Sequence, residues 1–139
     1  MGEASSHVVL FVCQHGAAKS VVAAQHMRRL AQARGVDLEC LSAGLEPDDR
    51  LPADVIAGLA ADGLEFVATK PQLVTGQLTE RANHIVSFGC DLTEVAAPER
   101  VIVWNDVPAV SDGYAPARDA IVARVEPLLD TILSGVPRQ

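Results

Sequence analysis

The amino-acid sequence predicts an α/β fold, with a parallel sheet covered by helices on both faces. Two observations carry this. Short apolar runs alternate along the chain with segments whose apolar residues recur at helical spacing, which is the order that builds parallel sheets. The first run, His7 to Val12, is continuously apolar rather than alternating, as suits a central strand buried on both sides. A content of 49% hydrophobic and 21% charged residues over 139 residues is enough for one packed core. Residues 1–6 read as a leader and 7–139 as a single α/β domain.

Each element has a local reason. After the His7–Val12 strand and Cys13, a loop from Gln14 to Ala18 leads into a helix running to about Arg34. Ala23, Met27, Leu30 and Ala31 fall on one stripe of it, and Gly35 is placed to end it. Leu38–Leu41 reads as the second strand, followed by a Ser42-Ala43-Gly44 turn. Pro52 opens a helix carrying Val55, Ile56, Leu59 and Ala60 that Gly63 stops. Thr75 is placed to cap a short helix through Ala82. Ile85–Phe88 and Val101–Trp104 read as the third and fourth strands. A loop from Asn105 to Tyr114 precedes a last helix with Ile121, Val125, Leu128 and Ile132 on one stripe. Pro127 inside it predicts a kink or a restart.

Composition narrows the function. A net charge of -7 argues against a nucleic-acid partner, since such proteins need cations to displace counterions. It leaves room for an anionic ligand at a locally positive site. No run is long and apolar enough for a membrane span, and the start lacks the pattern of a signal peptide. Gly2 with Ser6 formally fits a myristoylation pattern, although a plain leader explains those residues as well. Cysteines at 13, 40 and 90 are too few and too scattered for a disulfide framework, which fits a reducing, cytoplasmic setting. No Cys/His spacing suits zinc, and neither metal nor cofactor is called for.

The chemistry concentrates in Leu10–Ala24, LFVCQHGAAKSVVAA. In open parallel sheets, ligands bind beyond the carboxyl ends of the strands. Here that end runs into a helix N-terminus, where unpaired N–H groups and the helix dipole collect anions. Thiols at such places ionise more readily and become nucleophiles. Gly16 permits the left-handed backbone that turns amides inward. Ala17 and Ala18 let the backbone approach a ligand, with Gln14 and His15 completing the loop. Lys19 adds a full charge; because lysine in a first helical turn opposes the dipole, an anion nearby would account for it. Ser20 either caps the helix or donates to the thiolate. His15 either orients the loop or faces solvent. A nucleotide P-loop is rejected, because Cys13 and Ala18 stand where its two glycines belong. The bland alternative for any cysteine is inert core, and Cys40, on a strand, is read that way.

With these residues the sequence resembles the low-molecular-weight protein tyrosine phosphatases and the arsenate reductases that share their fold. Their signature is Cys, five residues, Arg, then Ser or Thr, directly after the first strand. Cys13 to Ser20 follows it with Lys19 in the arginine's place. Ser42-Ala43-Gly44, Ala61-Asp62-Gly63, Ile85–Asp91 and Trp104–Pro108 extend the likeness over nearly the whole chain. The resemblance implies a three-layer fold with a four-stranded parallel sheet, and phosphomonoester hydrolysis of phosphotyrosine type through a phosphocysteine on Cys13. Loop amides and Lys19 would stabilise the equatorial oxygens, and Ser20 the thiolate. An aspartate in the Trp104–Gly113 segment would be the acid. The family sets that acid just before proline; here Val107 holds the place, so Asp106 is the first candidate and Asp112 the second. Tyr114 and Trp104 are the candidates for stacking on substrate.

Lysine for arginine loses a planar fork, which predicts phosphate binding weaker by about 1–3 kcal/mol. Gly16 replaces a common Asn, a change expected to be mild since both residues tolerate left-handed backbone. Two other functions are weighed. One is arsenate reduction using Cys13 and Cys90 with an external thiol, a small thiol or a thioredoxin-type reductant. The family's further cysteine is absent, Ala97 standing in its place. The other is a non-catalytic phosphate- or oxyanion-binding pseudophosphatase.

Overall fold

The computed structural model describes residues 7–64 and 70–135, so the expected leader at 1–6 lies outside the described residues. Ten elements follow in order. Strand β1 is His7–Cys13, helix α1 Lys19–Ala33, strand β2 Leu38–Gly44, helix α2 Ala53–Ala61 and helix α3 Gly76–Arg81. Strand β3 is His84–Ser87, then a 3-10 turn at Pro98–Arg100 precedes strand β4, Val101–Val103. A second 3-10 turn at Val110–Asp112 leads into helix α4, Tyr114–Gly135.

The four strands form one parallel sheet in the order β2-β1-β3-β4. β1 is central, and its side chains alternate between two cores. Val9, Phe11 and Cys13 face a core completed by Met27 of α1, Val55 and Leu59 of α2, and Ile121, Val125, Leu129 and Ile132 of α4. Val8, Leu10 and Val12 face the other, with Ala43, Val74, Ile85 and Leu92. Three layers result, as expected. Because β1 is covered on both faces, every one of its residues from Val8 to Cys13 is buried, which is why its sequence shows no alternation.

The local signals work where the chain follows them. Gly35 and Gly63 adopt φ +69° and +76° just past α1 and α2. Thr75 caps α3, its side chain accepting from the Leu78 amide at 3.1 Å. Two expectations are corrected. The Ser42-Ala43-Gly44 turn is the end of β2, because β1 runs on as a pairing template and Cys13 stands beside Gly44 in register. Pro127 does not restart the last helix: α4 runs unbroken from Tyr114 to Gly135. The stripe of α2 is also narrower than expected, with Ile56 39% exposed while Val55 and Leu59 are fully buried. Among the described residues no helix is long and apolar enough to cross a membrane.

Candidate active site

β1 ends on Cys13 and the chain turns at once into α1 through residues 14–18. The turn is shaped by a backbone contact 28 residues away in sequence. Gly16 has φ +61°, and a Cβ built there would lie 2.6 Å from the Gly44 nitrogen and 2.8 Å from the Ala43 carbonyl carbon. The reverse holds too: a Cβ on Gly44 would lie 2.4 Å from the Gly16 nitrogen. The loop therefore rests flat on the end of β2, backbone on backbone. This corrects the view of asparagine at position 16 as a mild change; the dihedral suits it, but the space does not.

The outer side of the loop is tied down. The Glu46 and Asp48 amides donate to the Gln14 and His15 carbonyls at 2.8 and 3.2 Å. The Gln14 side chain donates to Glu46 Oε1 at 2.8 Å, and His15 Nδ1 lies 3.1 Å from the Glu46 carbonyl and 3.5 Å from Asp48 Oδ1. His15 thus anchors the loop from a side chain 57% exposed. A trans peptide points its N–H opposite its C=O. The N–H groups of His15 and Gly16 therefore turn away from the 46–48 segment. Within the described residues, no acceptor takes the amides of residues 14–18.

The inner side holds the thiol. Cys13 Sγ lies 3.0 Å from the Ser20 hydroxyl, and Ser20 is fully buried. Of its two expected roles, Ser20 takes the one toward sulfur; the helix N-cap is Ala18, without a side-chain cap. Cys13, Gln14, His15, Ala17, Ala18 and Lys19 line a cleft of about 350 Å³. Phe88, Val55, Pro52, Val110, Ala109 and Ser111 complete its walls, with Asp48 and Asp54 as its carboxylates. Half-buried Lys19 makes no ion pair within the described residues. Three or more His, Cys, Asp or Glu side chains nowhere gather as a metal site among those residues.

Other singled-out residues lie elsewhere. Asp106 does not line the cleft: it pairs with Arg124 Nη2 at 2.6 Å, with its side chain 68% exposed. Asp112 is exposed in the 3-10 turn and also outside it. Val107 and Val110 anchor the 105–113 segment in the core, and the loop gives the cleft only Ala109, Val110 and Ser111. Asp48 and Asp54 were missed because each reads locally as an ordinary loop or helix-start acid. Neither aromatic candidate lines the cleft. Trp104 packs against Phe11 and Phe88, at 5.9 and 5.7 Å between ring centroids. Tyr114 covers Gly58 and donates to Asp62 Oδ2 at 2.7 Å. Burial works against ionising Asp62, yet hydrogen bonds from Tyr114 and Arg118 outweigh it and hold its carboxyl below the usual range.

The other two thiols lie outside this cleft. Cys40 is buried, and burial pushes its thiol up to about 12. Cys90 is half-buried on the far face of the sheet. Its Sγ donates to the Val12 carbonyl at 3.7 Å, and it opens into a separate depression with Leu92 and Val103. Burial pushes the Cys90 thiol up, and the neighbouring Cys13 adds to that. All three cysteines are free.

Comparison with known proteins agrees with this layout. The family described as low molecular weight phosphotyrosine protein phosphatase matches residues 8–101. No curated protein matches the sequence. Among solved structures, YfkJ from Bacillus subtilis is similar with a TM-score of 0.86 and 20% identity, covering 98% of this chain and 100% of that one. A low molecular weight phosphotyrosine phosphatase from Vibrio cholerae is similar with a TM-score of 0.81 and 18% identity, covering 94% and 100%. A thioredoxin-dependent arsenate reductase from Corynebacterium glutamicum gives 0.78 and 20%, covering 96% of this chain and 65% of that one. At such identities the likeness is one of fold.

Proposed function

The chain belongs to the low molecular weight phosphotyrosine protein phosphatase family, and from that premise we propose that it hydrolyses phosphomonoesters, of phosphotyrosine type, through a phosphocysteine on Cys13. The observation that carries the reading is the 3.0 Å contact of Cys13 Sγ with Ser20 Oγ in a cleft that Lys19 also lines. The Cys13 thiolate attacks phosphorus and the bond to the ester oxygen breaks. Lys19 and the loop amides take the charge on the equatorial oxygens. Ser20 donates to sulfur before attack and again when water displaces it from phosphorus. The free thiol this requires fits a reducing, cytoplasmic setting.

The test uses p-nitrophenyl phosphate. The wild-type protein turns it over, Cys13→Ser abolishes turnover, and inorganic phosphate or arsenate inhibits competitively. Phosphate binding without any turnover would instead support the pseudophosphatase. Arsenate reduction is the second reading: Cys90 is a second free thiol whose Sγ lies 3.7 Å from the Val12 carbonyl, close to Cys13 in the sheet although on the other face of β1. Arsenate-dependent consumption of a small thiol or a thioredoxin-type reductant, lost in Cys90→Ser, would support it over ester hydrolysis.

A further inference from the structure

Ester hydrolysis needs a proton for the departing oxygen, and the segment expected to deliver it sends no carboxylate into the cleft. Building on the phosphatase reading, we propose that Asp54 is the proton-transferring residue. Among the described residues, the carboxylates that line the cleft are Asp48 and Asp54. Asp48 is engaged: its Oδ1 lies 3.5 Å from His15 Nδ1, and its amide donates to the His15 carbonyl. Asp54 has no hydrogen-bond or ion-pair partner among the described residues. It stands in the first turn of α2, between Pro52, which also lines the cleft, and Val55, fully buried in the core. That neighbour pins the turn, so Asp54 is an exposed carboxyl on a fixed base, lining the same cleft as Cys13.

The protons balance. As Cys13 sulfur bonds to phosphorus and the P–O bond of the ester breaks, the Asp54 carboxyl gives its proton to the leaving oxygen, releasing an alcohol or phenol. The resulting carboxylate then takes a proton from the water that attacks the thiophosphate. Sulfur leaves as thiolate, phosphate is released, and Asp54 is again protonated. No oxidant or cofactor takes part.

Two esters separate this role from a structural one: p-nitrophenyl phosphate, whose leaving group needs little protonation, and phenyl phosphate, whose leaving group needs much. Asp54→Asn should lower kcat on phenyl phosphate by about 100-fold or more. It should lower kcat on p-nitrophenyl phosphate only a few-fold and leave the melting temperature in place. Asp106→Asn and Asp48→Asn should keep the wild-type ratio between the esters. Equal losses on both esters, or the signature appearing in Asp106→Asn or Asp48→Asn instead, overturns the assignment while leaving the phosphatase reading intact. A wild-type protein that hydrolyses neither ester overturns both.

Discussion

Replacing Gly16 by alanine tests how the anion loop is seated, and its cost follows from two separable terms. The first is conformational: at φ +61° an L-residue costs about 1–2 kcal/mol. The second is contact, since the new Cβ meets the Gly44 nitrogen at 2.6 Å and the Ala43 carbonyl carbon at 2.8 Å. Those atoms are strand backbone and cannot swing aside, so crowding them costs about 1–3 kcal/mol. Together the terms predict a loss of about 2–5 kcal/mol, or very roughly 8–20 °C in melting temperature at about 4 °C per kcal/mol. Two other glycines separate the terms. Gly35 has φ +69° but nothing within 4 Å of a built Cβ, so Gly35→Ala carries only the first. Gly44 has no positive φ but would meet Gly16 nitrogen at 2.4 Å, so Gly44→Ala carries only the second. Urea unfolding of the three variants should rank Gly16 as costliest, and phosphate should protect the first and third less than wild type. If Gly16→Ala costs no more than Gly35→Ala, the loop does not rest on β2 and the account of the cradle fails.

Lys19→Arg restores a two-pronged donor, and should raise phosphate affinity or kcat/KM by about 10-fold; competition by inorganic phosphate reads this, and a loss would mean a loop shaped around lysine. Cys40 makes stability fall at alkaline pH. Its thiol ionises near 9.0 when unfolded but is pushed up to about 12 by burial, so its contribution is intact below pH 9 and is lost as pH rises from there toward 12. Between pH 8 and 10 this amounts to about 1 kcal/mol, measurable as a steeper decline of unfolding free energy in wild type than in Cys40→Ala; equal declines would contradict it. Tyr114→Phe removes a hydrogen bond to Asp62, and should cost about 1–3 kcal/mol of stability while kcat/KM on aryl phosphates holds. A selective rise in KM would return Tyr114 to the substrate.

The elements were legible wherever their cause is local. A glycine that stops a helix, a threonine that caps one, and an apolar run long enough for a buried strand need only their neighbours. Cys13, the loop and Ser20 were legible for the same reason, all lying within one turn of chain. What the sequence hid depends on distance. Ser-Ala-Gly at 42–44 carries the composition of a turn, and only pairing with β1 makes it a strand. Gly44 is small for the sake of Gly16, which no window around residue 44 reveals. Asp106 stands beside Val107-Pro108, one residue before the place where the resemblance puts the acid. Its direction is set by Arg124 on α4 and by the burial of Val107 and Val110, which follow it in the chain.

The two cores of β1 also bear on which reaction can follow the first attack. Hydrolysis and arsenate reduction share the step in which Cys13 sulfur bonds to the central atom of an oxyanion, and diverge on what arrives next. Side chains of a strand alternate, so Cys13 belongs to the face of Val9 and Phe11, while Cys90 packs with Val8, Leu10 and Val12. A thiol on the second face meets an adduct on the first only if the 88–92 segment leaves its place, giving up the hydrogen bonds of Ser87 Oγ with the Cys90 carbonyl and the Gly89 amide. Water needs no such movement, since Cys13 already lines the cleft, as Asp54 does. The arrangement as it stands therefore favours water, or a small thiol entering by the same mouth, over internal relay. Cys90→Ser should accordingly leave the hydrolysis of aryl phosphates unchanged, and a matching loss of ester turnover would show that the two faces communicate through β1.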